Sequence, residues 1–129
     1  MSNKTIKQTI IIKASPHDLY EAILNPKIHS KFTNSKATNT MKVGGKFTAY
    51  DGYISGTNLI LEKDKKIVQS WTSTDFPKGY FTKVIFEFKA EKNGTKLTFM
   101  QENVSDENFE KIKQGWIDFY WEPLKKMFG

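Results

Sequence analysis

The stretch SDENFEKIKQGWIDFYWEPLKKMF, residues 105–128, decides the fold because its apolar positions recur with the period of a helix. Ser105 stands at the position of a capping residue, and Asp106 and Lys126 suit the two ends of a helix dipole. At about 100° per residue the apolar side chains span roughly 200°, although a surface helix needs little more than 100°. We therefore expect a long C-terminal helix that is half enclosed or presents apolar surface to a partner. The apolar positions are Phe109, Ile112, Trp116, Ile117, Phe119, Tyr120, Trp121, Leu124, Met127 and Phe128.

Two residues disturb this helix. Pro123 has no N–H, so the carbonyl of Phe119 should lose its partner and the helix should kink. Gly115 costs about 1 kcal/mol relative to alanine in a helix interior. It projects onto the polar side of the helix, where the sequence offers no reason for a glycine.

The chain upstream of the helix has mostly the two-residue period of strands. A first strand covers residues of about 4–13, and two short helices follow, with Ser15 and Asn25 as their expected caps before prolines. Asp51 with Gly52, and Asn93 with Gly94, predict tight turns between later strands. The expected later strands include residues 46–50, 53–62, 67–73, 81–91 and 95–104.

This order predicts a single α+β domain over residues 1–129. We expect a curved antiparallel sheet of about seven strands wrapped around the long C-terminal helix, with the two short helices between strands 1 and 2. A chain of this length buries enough surface to form a core without disulfides, and it has no cysteine.

The charge of the chain excludes some classes of function. The net charge is +6, yet every basic residue is lysine, and the arginine fork used to read nucleic acids is missing. No segment has the roughly 20 apolar residues of a membrane span. We expect a soluble cytoplasmic protein that binds neither nucleic acid nor membrane.

Catalytic and metal-binding motifs are missing from the sequence. His17 and His29 have no second ligand at metal spacing, so we expect no metal, no cofactor and no catalytic residue. An enzyme would need polar groups that converge inside the fold. The candidates for such a group are Tyr53, Asp51 and Glu102, and we consider this the weaker alternative.

The surplus feature is aromatic: ten phenylalanines, five tyrosines and three tryptophans. Most of these rings must be ordinary core. A curved sheet below a broad aromatic helix can leave volume unfilled, which becomes an apolar groove with a few polar tips. The candidate ligand-groove residues are Phe47, Tyr53, Trp71, Phe86, Phe99, Trp116 and Tyr120. The candidate partner-surface residues are Phe109, Trp121 and Phe128.

Short motifs are spread over nearly the whole chain, from about Thr5 to Gly129. They are Gly44-Gly45-Lys46-Phe47, Asp51-Gly52, Ser55-Gly56, Ile67-Val68 with Trp71, Asn93-Gly94, Gln114-Gly115-Trp116, Tyr120, Glu122 and Phe128-Gly129. Their combination resembles the C-terminal domain of the activator of heat-shock protein 90 ATPase. That family lies within the START-like (Bet v 1-like, SRPBCC) superfamily of helix-grip folds.

The resemblance implies a non-enzymatic co-chaperone module that binds a heat-shock protein 90 type chaperone and stimulates its ATPase. The resemblance also implies that the full activator has a separate N-terminal docking domain, for which we expect no counterpart here. Losing such an anchor can lower the avidity by roughly 10²–10⁴-fold. The alternative is a carrier or sensor of a small apolar ligand, held between the sheet and the C-terminal helix.

Overall fold

Seven strands form one antiparallel sheet in the computed structural model, which describes residues 3–128. Their order across the sheet is β1-β7-β6-β5-β4-β3-β2. Strands β2 to β7 therefore form a meander, and the last strand, β7, pairs with the first strand, β1. The expected curved antiparallel sheet is confirmed. The strands are β1 Asn3–Ile12, β2 Thr38–Asn39, β3 Lys46–Ala49, β4 Ile54–Glu62, β5 Lys66–Ser73, β6 Thr82–Glu91 and β7 Gly94–Ser105.

Two short helices connect β1 to β2, as the sequence predicts. They are α1, Pro16–Leu24, and α2, Pro26–Thr33. The Ser15 hydroxyl accepts from the Asp18 amide at 3.1 Å, and the Asn25 side chain accepts from the Lys27 amide at 3.0 Å. Each cap satisfies an amide that the first helical turn leaves unpaired.

The core lies between the sheet and the C-terminal helix. Alternate residues of the strands face it, so Phe86, Leu97 and Phe99 are almost completely buried. Trp116 hydrogen-bonds into this core, since its indole Nε1 donates to the side-chain oxygen of Gln101 at 2.7 Å. The helix is therefore held to the sheet by ring packing together with a buried hydrogen bond.

The predicted Asn93-Gly94 turn is displaced by one residue. Glu91 pairs with Gly94, so the two turn residues are Lys92 and Asn93, and Gly94 already belongs to β7. A Cβ at Gly94 would lie 2.2 Å from the carbonyl oxygen of Ile12. The close approach of β1 therefore requires glycine at this position.

The C-terminal helix, residues 106–128, is built from four consecutive segments instead of one regular helix. A 3₁₀ turn covers Asp106–Asn108, α3 covers Phe109–Trp116, a π-helical turn covers Ile117–Trp121, and α4 covers Glu122–Phe128. The Ser105 side chain does not cap this helix; it accepts a hydrogen bond from the Asn108 side chain at 3.1 Å. The irregularity expected at Pro123 takes the form of the π turn just before it.

Side chains from β1 and from the end of β3 bond to two backbone carbonyls of the C-terminal helix, one in α3 and one in the π turn. The Tyr50 hydroxyl donates to the Phe119 carbonyl at 2.7 Å, the group that Pro123 cannot serve. The Gln8 side-chain amide donates to the Lys113 carbonyl at 3.1 Å. The helix is thereby tied to β1 on one side and to the end of β3 on the other.

We predict that Tyr50→Phe lowers the free energy of unfolding by about 1 kcal/mol, because the Phe119 carbonyl loses its donor. In a Pro123→Ala background the cost should shrink, since that substitution restores a backbone amide that can reach the same carbonyl. Urea denaturation of the single and double variants measures the coupling.

The matched control is Tyr80→Phe, which removes a hydroxyl that donates to the Asn103 carbonyl at 2.7 Å. Its cost should be the same with and without the Pro123→Ala substitution. Equal costs of Tyr50→Phe in both backgrounds would contradict the assigned role of Tyr50.

Candidate functional site

A cavity of about 480 Å³ lies between the C-terminal helix and the β4 and β5 strands. Its walls are mostly apolar, and half of its lining residues carry aromatic rings. The lining consists of Tyr50, Tyr53, Ile54, Trp71, Ser73, Asp75, Phe76, Asn108, Lys111, Ile112, Gly115, Trp116, Phe119 and Tyr120.

One stripe of the C-terminal helix forms a wall of this cavity. Lys111, Gly115 and Phe119 are spaced by four residues and therefore lie one above the other on the same face. Gly115 therefore lines the cavity on the same face as the polar Lys111, a position that the sequence did not indicate. A Cβ at this position would meet only Phe119 Cδ2, at 3.9 Å, so no close contact requires the glycine.

The opposite wall consists of rings from β5 and the loop after it. The Trp71 ring lies 5.8 Å from that of Phe76 and 5.8 Å from that of Trp116, measured between centroids. Trp116 in turn lies 4.4 Å from the ring of Tyr120. Trp116 and Tyr120 belong to the C-terminal helix, so this ring packing joins the sheet wall to the helix wall.

The mouth of the cavity carries a small polar cluster. The Tyr53 hydroxyl donates to Asp75 Oδ2, and Lys111 Nζ donates to the same oxygen at 3.1 Å. The hydrogen bond from Tyr53 and then that from Lys111 hold the pKa of Asp75 below its usual range. The hydrogen bond and charge of Asp75 raise the pKa of Lys111. Both side chains are exposed, so they form a solvated ion pair at the rim.

A buried histidine supports the inner end of the cavity. The Tyr120 hydroxyl donates to His29 Nε2 at 3.1 Å, and His29 Nδ1 donates to the Ile23 carbonyl at 3.0 Å. Since the carbonyl can only accept, this network requires the neutral ring with its proton on Nδ1. Burial lowers the pKa of His29 to about 4 and raises that of Tyr120.

The structure brings four of the seven predicted groove residues together, and these line the cavity: Tyr53, Trp71, Trp116 and Tyr120. Phe47, Phe86 and Phe99 do not line it. They are buried in the core, where Phe86 and Phe99 pack against each other with ring centroids 5.2 Å apart. A ring that fills the core offers no groove surface.

The three predicted partner-surface residues lie in different environments. Trp121 is only 2% exposed, and its indole donates to the Gln8 side chain at 2.7 Å, so it cannot contribute partner surface in this structure. Phe109 is half-buried, with Lys4 and Lys113 over its ring, and Phe128 is also half-buried. The exposed ring of the helix is Phe119, with 56% of its surface accessible.

The sequence interpretation missed the polar rim. Lys111 and Asp75 are far apart in sequence, and only the fold places them 3.1 Å apart. The four-residue spacing of Lys111, Gly115 and Phe119 is the signal that could have identified the helix wall. Of the polar residues considered for an enzyme, Tyr53 lines the cavity, whereas Asp51 and Glu102 do not.

Metal-ligand clusters and membrane-spanning helices are both missing from residues 3–128. Within that range no three histidine, aspartate or glutamate side chains are placed to hold a metal ion. None of the helices described there is both long and apolar enough to cross a bilayer.

Residues 13–129 match the family model described as activator of Hsp90 ATPase homolog 1-like protein. The chain belongs to this family. The Homo sapiens activator of 90 kDa heat shock protein ATPase homolog 1 is 33% identical over 126 residues, which cover 97% of this chain and 36% of the relative. The Dictyostelium discoideum homolog is 34% identical over 129 residues, which cover 99% of this chain and 34% of the relative. The chain therefore spans about a third of the length of these curated relatives.

Solved structures agree with the helix-grip fold expected of this activator family. A crystal structure described as an HSP90 activator from Plasmodium falciparum is 26% identical, with a TM-score of 0.88, and the match covers 95% of this chain and 94% of that one. A Mesorhizobium loti protein superposes with a TM-score of 0.82 at 20% identity, covering 95% of each chain, and shows the fold alone.

We predict that Gly115→Ala raises the free energy of unfolding by up to about 1 kcal/mol, because alanine favours the helix and its Cβ meets no close neighbour. The matched control is Gly56→Ala, whose Cβ would lie 1.9 Å from the Ser70 carbonyl oxygen and should destabilise the protein. Urea denaturation measures both changes. Destabilisation by Gly115→Ala would contradict the open space at this position.

We also predict that His29 makes stability depend on pH. Its folded pKa of about 4 is below the unfolded value near 6.5, so the unfolded chain binds the extra proton between them. The stability present above pH 6.5 should fall by about 3 kcal/mol as the pH approaches 4. His29→Gln, which keeps a neutral polar side chain, should lack this component. Equal pH slopes for both proteins in urea denaturation would contradict the prediction.

Proposed function

We propose that this chain binds a heat-shock protein 90 type chaperone and stimulates its ATPase, without catalysing a reaction itself. The observation that carries the proposal is the similarity to the Plasmodium falciparum structure described as an HSP90 activator. The match covers 94% of that relative's chain, so the protein described there as an HSP90 activator is also about one domain in size. The longer relatives named as activators support the same partner.

The properties of the surface are compatible with this role. All 20 basic residues are lysines, and they exceed the 14 acidic residues by six. The net positive charge favours an acidic partner surface and speeds encounter with it. Phe119 exposes an aromatic ring next to the cavity, and Phe109 and Phe128 remain candidates for partner contact. The cytoplasmic location expected from the sequence stays a prediction.

The test is the ATP turnover of the chaperone from the same organism, measured with increasing amounts of this protein. We expect a saturable increase, because a bound module that favours the ATPase-competent arrangement raises the populated fraction of that state. An inhibitor of the chaperone's nucleotide site should abolish all turnover, which excludes a contaminating ATPase.

The matched control is an unrelated basic protein of similar size and net charge. It should leave turnover unchanged if the effect is specific. Unchanged turnover with this protein, together with no heat of binding in calorimetry, would contradict the proposal.

A second candidate function is the binding of a small apolar ligand, which the cavity favours. Its volume of about 480 Å³ lies within the range of roughly 300–1,000 Å³ that is typical of small-molecule sites. Native mass spectrometry of protein purified without organic solvent should then show an added mass. Gly115→Leu, which places a larger side chain on the cavity wall, should reduce that species.

A further inference from the structure

The mouth of the aromatic cavity carries one cation and one anion, and they neutralise each other. Lys111 and Asp75 are the charged residues among those that line the cavity, and their atoms lie 3.1 Å apart. We infer that the cavity selects an uncharged planar aromatic molecule with a hydrogen-bond acceptor, and that Lys111 receives the acceptor. This inference rests on the proposed ligand-binding function and specifies its ligand.

The shape of the ligand follows from the walls. Seven of the fourteen lining residues carry aromatic rings, with Trp71 and Phe76 on the sheet side and Trp116 and Phe119 on the helix side. Flat rings pack against such walls by offset stacking and edge contacts, with aromatic pairs preferred at centroid distances of about 4.5–7 Å. A planar aromatic ligand makes these contacts with both the sheet and the helix.

The charge of the ligand follows from the rim. A ligand carboxylate close enough to bond to Lys111 would also approach Asp75, and a ligand ammonium bonded to Asp75 would approach Lys111. Each therefore meets repulsion that offsets most of its attraction. Entry also removes the hydration of the charged group, which an apolar cavity does not replace.

An uncharged acceptor meets neither cost. The Lys111 ammonium has three N–H donors, and one of them serves Asp75. Asp75 keeps that ammonium at the rim and charged, and Tyr53 in turn bonds to Asp75. Lys111 is therefore the specificity-determining residue, and Asp75 and Tyr53 position it.

Four naphthalene probes of similar size test the inference: 2-acetylnaphthalene, 2-ethylnaphthalene, 2-naphthoate and 2-naphthylmethylammonium. The first is neutral with an acceptor, the second lacks the acceptor, and the last two carry opposite charges. We expect 2-acetylnaphthalene to bind about fivefold more tightly than each of the others, since the pair at the rim is partly solvated. Tryptophan fluorescence quenching and calorimetry measure the affinities.

Two variants should invert the preference for charge. Asp75→Asn leaves Lys111 without its counter-ion, so 2-naphthoate should bind about fivefold more tightly than it does to the original protein. Lys111→Met keeps a long side chain but removes the ammonium. This variant should bind 2-naphthylmethylammonium more tightly than the original protein does. It should also bind 2-acetylnaphthalene and 2-ethylnaphthalene with equal affinity. Lys89→Met, an exposed lysine of β6 outside the cavity lining, is the matched control and should change none of the four affinities.

The outcomes separate the inference from the function on which it rests. The expected ranking with both inversions supports the inference. Equal binding of all four probes, or tightest binding of any probe other than 2-acetylnaphthalene, overturns the inference. If Gly115→Leu reduces that binding, the cavity remains a ligand site. Failure of every probe to bind overturns both the inference and the ligand-binding function.

Discussion

The fold depends on how the backbone carbonyls of an irregular helix are satisfied. Pro123 and the π turn prevent the C-terminal helix from pairing all of its own groups in the regular α pattern. Tyr50 and Gln8, from opposite sides of the sheet, supply donors to the carbonyls of Phe119 and Lys113. Because hydrogen bonds are directional, these two contacts help to orient the helix above the strands, together with the packing of its buried rings.

The position of the helix in turn creates the cavity. Trp116 and Trp121 are drawn into the core, where their indoles donate to Gln101 and Gln8. The helix face that contains Gly115 then lies toward β4 and β5, and Gly115 contributes only a hydrogen atom to the cavity wall. Volume that a larger residue would fill therefore stays open, at a cost in helix propensity of about 1 kcal/mol.

The site consists mainly of apolar and aromatic side chains with a small polar rim. Its rings offer packing and its rim offers a compensated ion pair. Burial keeps His29 neutral by lowering its pKa to about 4, and its ring bonds to Tyr120 and to the Ile23 carbonyl. Membership in the activator family and an apolar cavity are compatible properties of one domain, and the exposed ring of Phe119 lies where the cavity meets the outer surface. The family relationship supports the proposed chaperone partner, and the ion pair at the rim supports the proposed preference for uncharged ligands.

The sequence by itself determined the order of the strands and helices, the caps at Ser15 and Asn25, and the amphipathic C-terminal helix, because those features depend on local periodicity and turn chemistry. It also identified four of the seven rings that line the cavity, including Trp71 and Trp116. Only the tertiary structure decided that Trp121 and Phe99 are core, that Gly115 faces the cavity, and that Lys111 meets Asp75. The π turn rotates the helix after residue 116 away from a regular wheel, and contacts between distant residues follow from the packing of the sheet, which no local pattern encodes.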